Sequence, residues 1–270
     1  MSKTDKLRAL ISLLDDSDTQ TAIPAMAELL RFGAELEPFM SELQESSNPL
    51  LRRRVHQMQS IIKARDKRRA LAERLRAEGA DLRRGLNELH LQWYDSDSDV
   101  GLDRQWVELV DSARSFRPRT TRRLMDFMAE SGFIAAGAGE VEADHYCVGS
   151  VIDERVGADF VLCAVALVVG KHFGWGGGVV RAEGGFALLD GNGQAVFPSD
   201  WRSETLRGGR HECWNPGMLL RHAAYQLLLC AVSVESVRYV YTLGSCLAQM
   251  LGDKDVFSLL PSPYNGKTVH

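Results

Sequence analysis

The side chains able to make or break bonds in this 270-residue chain are five cysteines, seven histidines and 36 acidic residues. A cysteine becomes a nucleophile when an adjacent imidazole or a helix N-terminus stabilises its thiolate. Two stretches bring such residues together in sequence. His211, Glu212, Cys213 and Trp214 lie in a glycine-rich loop, Gly208 to Pro216, that could reach over a site, and His211 with Cys213 is the better pair for noncanonical chemistry. Cys163 stands one helical turn after Asp159 inside an apolar run, where a thiol is expected to be a core residue with a raised pKa and low reactivity. A metal centre would have to assemble His145, Cys147, His172, His211 and Cys213, which show no paired zinc-type spacing, so no metal is expected. GxGxxG, Walker and HExxH patterns are missing from the sequence, and no cofactor is expected. The cysteines are odd in number, irregularly spaced and without a CxxC pair; four fall in apolar helical contexts, as buried free thiols would.

The elements that must position these groups begin with helices. Leu7, Leu10, Ile11 and Leu14 follow helical spacing, and Asp15, Asp16, Ser17 and Asp18 supply caps for the next helix. A second stripe runs through Ile23, Met26, Ala27, Leu29 and Leu30 to Gly33. A third, Leu36, Phe39, Met40 and Leu43, stops before Asn48 and Pro49. A fourth starts at Leu50 and continues through a charged stretch to about Glu78. Short helices joined by tight polar turns resemble HEAT-type repeats, although a plain helical bundle has the same pattern. Amphipathic stretches follow at Leu82 to Trp93 and Leu102 to Ala113, then Leu124, Phe127 and Met128 precede a loop rich in glycine and alanine, Gly132 to Gly139.

From Asp144 the chain reads DHYCVGSVIDERVGADFVLCAVALVVGKHFGW. The run from Phe160 to Val169 is an uncharged helix, which must be enclosed on all sides. Gly174 ends it, and Gly176, Gly177 and Gly178 lead into apolar runs at Val179 to Arg181, Phe186 to Leu189 and Ala195 to Phe197. The last two are separated by an Asn-Gly hairpin signal. With Val151, Arg155, Gly157, Leu162 and Gly174 at matching positions, the block resembles the SirB-type transglutaminase-like family over roughly Asp81 to Asp200. The fold expected is α+β and predominantly helical: the stripes at the start of the chain give a HEAT-like region over 1–78, and the resemblance implies a transglutaminase-like core with a small antiparallel sheet over 79–210, followed by a C-terminal helical segment over 211–270 packing on the core. Met218 to Ala231 and Val237 to Leu251 supply that segment's helices, and Pro261 and Pro263 close it.

The same resemblance implies a cysteine at the start of the central helix, with histidine and aspartate on the strands beside it. Here the sequence departs from the family. The nucleophile position, two residues after Gly157, holds Asp159, which suits a helix N-cap and cannot act as a thiolate. The histidine position matches Gly184, Gly185 and Phe186, so that Gly185 replaces the imidazole. The third position offers only Asp200, more apt as a helix cap. The expectation is therefore a non-catalytic binding or regulatory module with an unknown protein partner. The alternative is a hydrolase or acyltransferase with a noncanonical site.

A formal charge of −4 conceals a basic run: from Leu50 to Arg84 twelve Lys or Arg face four acids. Arg52, Arg53, Arg54, Lys67, Arg68 and Arg69 could form a nucleic-acid surface, a third reading, but aromatic residues are not interleaved with them as single-strand binding requires. No run of about 18 uncharged apolar residues is present, and the start of the chain is charged and amphipathic. A cytoplasmic location without membrane contact is expected.

Overall fold

A computed structural model describes residues 2–137, 139, 142–183, 185–206 and 211–252. They are predominantly helical, with a five-stranded antiparallel sheet followed by C-terminal helices. The chain divides into two compact units between Arg68 and Arg69. That division falls within a helix, not at the expected 78/79 boundary.

The first unit holds α1 (Lys3–Ser12), α2 (Thr19–Leu29), α3 (Glu37–Gln44) and most of α4 (Pro49–Arg76). Ser2 and Asp5 make a capping box on α1, and from the acidic turn expected to supply caps Asp18 accepts from Gln20 N at the start of α2. Leu14, Leu29, Leu36, Val55 and Met58 are sealed from solvent in its core. Arg54 is buried, and its Nη1 donates to the carbonyls of Leu14 (2.6 Å) and Asp16. It closes the 3-10 turn Leu13–Asp15 after α1. Placing it on an open basic surface is therefore corrected: the guanidinium is needed inside to satisfy carbonyls that no helix bond reaches.

In the second unit follow α5 (Leu82–Trp93), α6 (Asp99–Ala113), α7 (Thr121–Glu130), β1 (Ile134–Ala135), α8 (Val148–Glu154), β2 (Val156–Gly157) and α9 (Asp159–His172). Five strands come next: β3 (Gly178–Ala182), β4 (Gly185–Leu189), β5 (Gln194–Phe197), β6 (Arg202–Thr205) and β7 (Glu212–Trp214). The helices α10 (Pro216–Ser233) and α11 (Val237–Leu251) complete it. The helix α9, uncharged from Phe160 to Gly170, is the centre of the unit. Val161, Leu162, Cys163, Val165, Ala166 and Val169 are fully buried, and α9 packs on β3, β4, α5, α6, α8 and α10. A Schellman motif ends it, with Trp175 N donating to Gly170 O and Gly174 N to Lys171 O at a positive φ of 87° that favours glycine.

The sheet order is β6-β5-β4-β3-β7. The β4–β5 hairpin turns where the Asn-Gly signal lies, held by Asp190, whose Oδ1 accepts from the N–H groups of Asn192 and Gln194. Two strands come where none was expected. β6 is exposed along its whole length, and β7 occupies part of the segment read as a loop. A further parallel pair joins β1 to β2. Because β7 pairs with β3, the segment beginning at 211 contributes to the sheet as well as to the helices behind it. Gly184, Gly208 and the two closing prolines lie outside the described residues.

Candidate functional site

The start of α9 meets the start of β4. Asp159 is the first residue of the helix, after Ala158, and is not its N-cap. Its Oδ1 accepts from its neighbour Phe160 N (2.7 Å), and its Oδ2 reaches across to accept from Phe186 N (3.0 Å). One carboxylate thus ties the central helix to the sheet. Gly185 lies directly against it: a Cβ built there would stand 2.8 Å from Asp159 Oδ2, on a backbone with φ 113°. Asp159 and Gly185 thus meet, as carboxylate and glycine.

The other candidates do not join them as reactive groups. Cys163 is fully buried one turn further into α9, where burial, and then the Asp159 charge, push its thiol well above the ordinary range. Asp200 caps no helix. It sits exposed in the turn before β6, accepting from Arg202 N (3.1 Å) and ion-paired to the same side chain. His211 and Cys213 are both exposed. Cys213 pairs with Val180, whose face of the sheet packs with Ala187 and Ala195, whereas Val179, paired with Trp214, faces α9. Strand alternation therefore turns the Cys213 thiol away from Asp159.

Sequence reasoning missed the group that does stand there. His222, on α10, is half-buried among Phe160 (ring centroids 4.7 Å), Trp214 (5.3 Å) and Phe186 (5.5 Å). Burial, and then the Arg181 guanidinium, lower its pKa against an opposing pull from Asp159, so the ring is neutral at pH 7. Arg181, exposed on β3, lies 5.9 Å from the Phe186 ring centroid. Tyr146 stacks on Phe160 and its hydroxyl lies 3.4 Å from Gln226 Oε1, one turn beyond His222. The one available signal was the position of His222, four residues before Gln226 and eight before Cys230 on a single helical face.

Comparison with protein-family models, with characterised proteins and with solved structures finds no match to this chain.

Two other charged regions are explained by structure. A groove of about 490 Å³ between the N-terminal ends of α5 and α6 is lined by Asp81, Arg83, Arg84, Glu88, Asp99 and Asp103. Two of its pairs are ionic, Arg83 of α5 with Asp103 of α6 across it (2.5 Å) and Arg84 with Glu88 along α5 (3.2 Å). Buried His90 bridges Asp97 (Nε2 to Oδ2, 2.9 Å) and the N–H of Gly149 (3.3 Å to Nδ1). Since an amide can only donate, Nδ1 must accept and the ring proton sits on Nε2. Among the described residues no three His, Cys, Asp or Glu side chains are placed to share a metal ion, and no helix is long and apolar enough to cross a membrane.

Proposed function

We propose that this protein is a non-catalytic member of the SirB-type transglutaminase-like family, with HEAT-like helices before a core that binds a ligand or partner without turning it over. The single observation that carries the reading is the state of Asp159. Where that chemistry needs a free thiolate, the chain has a carboxylate with both oxygens engaged by backbone N–H groups, and where it needs an imidazole it has Gly185 in contact with that carboxylate. The nearest thiol, Cys163, is sealed in the core and held protonated. His222 supplies an imidazole packed against the rings of Phe160, Phe186 and Trp214, and among the described residues it makes no hydrogen bond to a hydroxyl or thiol.

The test is acyl transfer. Incubated with a glutamine-containing peptide and hydroxylamine, the protein should release no ammonia above the blank. Turnover that disappears in Cys163→Ala or His222→Gln would reverse the assignment and return the protein to the acyltransferases.

A further inference from the structure

The cluster around His222 has donors without acceptors. Among the described residues, neither ring nitrogen of His222 and no guanidinium nitrogen of Arg181 has a hydrogen-bond partner, and both side chains lie beside aromatic rings. Arg181, Phe186 and Trp214 stand on the same face of the sheet. Arg181 pairs with Phe186 across β3–β4, and Val179, two residues earlier on β3, pairs with Trp214 and packs on α9. The nearby negative charges are Asp159, already committed to Phe160 N and Phe186 N, and Glu212, across from Arg181 on β7. Trp214 is likewise fixed, its Nε1 donating to Glu212 Oε2 (3.0 Å). What remains is a guanidinium and an imidazole N–H beside the half-buried ring of Trp214. That combination is complementary to a planar apolar body carrying one negative group.

We propose that Arg181 and His222 form a binding site for a small aromatic carboxylate, its carboxylate between the two side chains and its ring against the half-buried Trp214. The proposal rests on the non-catalytic reading above and names the ligand class of that site. Arg181 supplies the fixed charge, and a planar guanidinium matches a carboxylate's two oxygens. His222 supplies one donor when neutral and a second charge when protonated. The charged groups around it are Arg181 from β3, Asp159 from α9 and Glu212 from β7; Tyr146, from the turn before α8, stacks on the same Phe160 ring, and Cys230 lies two turns further along its own helix. Of these Arg181 alone is positive, so a bound anion offsets its repulsion of a ring that burial, first of all, holds neutral. Binding should therefore take up a proton and strengthen as pH falls from 8 to 6.

Indole-3-acetate, indole-3-acetamide and tryptamine share one ring body with charges of opposite sign and none. Each is titrated into the full-length protein while the imidazole signals of His222 and the indole N–H of Trp214 are followed by NMR, assigned with His222→Gln and Trp214→Phe. The acetate should bind roughly tenfold or more tightly than the amide, with the amine weakest. Arg181→Gln, at an exposed position, should level acetate and amide, and Arg181→Lys should restore part of the difference. Equal binding of all three, preference for the amine, or an acetate preference unchanged in Arg181→Gln would overturn the proposal. The same tubes separate it from the reading beneath it. Appearance of acetate and ammonia from the amide would sink the non-catalytic assignment while leaving recognition standing, whereas no turnover and no charge preference would sink recognition alone.

Discussion

At Gly185 two constraints coincide, a φ of 113° and a carboxylate oxygen 2.8 Å from where a Cβ would go. Any side chain must therefore both strain the backbone and displace Asp159 from Phe186 N. Gly185→Ala should cost about 1–3 kcal/mol, read as a lower midpoint in urea. Gly185→His, even combined with Asp159→Cys, should lower stability and give no acyl transfer; a stable, active double variant would contradict this. The two buried or half-buried imidazoles set the acid response. His90 and His222 both have pKa values lowered mainly by burial. Unfolding returns them to about 6.5, so the unfolded chain binds more protons below that pH, and their contribution, complete above it, is lost as pH falls toward their folded values. Urea midpoints should fall from pH 7.5 to 5.5, and less so in His90→Gln. A flat profile would show that neither ring is held neutral. Nothing in the residue types announced these roles. His222 reads as one polar residue in an apolar helix, and only the partners around it make it part of a site.

Between elements, close approach decides which residues are allowed. Gly149 lets α8 lie against α5: a Cβ there would fall 2.6 Å from His90 Cε1 and 2.8 Å from Leu102 Cδ2. Gly149→Ala should thus destabilise by about 1–3 kcal/mol through overpacking, visible as a fall in Tm; an unchanged Tm would mean that the helix shifts freely. The hairpin of β4 and β5 is tied to α7 by a chain in which Trp175 Nε1 donates to Thr121 Oγ1 (3.2 Å) and the Thr121 hydroxyl donates to Asp190 Oδ2 (2.6 Å). Most helices were legible because their apolar period is long and their caps are local: α5 and α11 span the residues that the stripes marked. Of the strands, β6 was missed because all four residues are exposed, leaving no alternation to read. β1, β2 and β7 were missed because two or three residues carry no periodicity.

For the molecule as a whole, thiol accessibility gives the broadest check. Cys147, Cys163 and Cys246 are buried, Cys230 is half-buried and Cys213 is exposed. Labelling of the folded protein should show one fast thiol, abolished by Cys213→Ser, one slower, and three protected until unfolding. Fast labelling of Cys163 would mean that α9 is open. The basic run should behave as structure more than as a binding face. Arg54 is buried, Arg74 is bound to Glu88 (2.7 Å), and Arg76 donates to the carbonyls of Met250 (2.7 Å) and Gln249. A DNA affinity that falls steeply with salt would argue otherwise. Sequence alone determined the helical character, the enclosure of α9 and the absence of a thiol from its first turn, because composition and period act locally along the chain. Tertiary structure decided that Asp159 binds strand β4, that Cys213 faces away, and that His222 and Arg181 meet at one aromatic wall. Those facts depend on strand order and on helix packing between residues far apart in the chain, which no local pattern encodes.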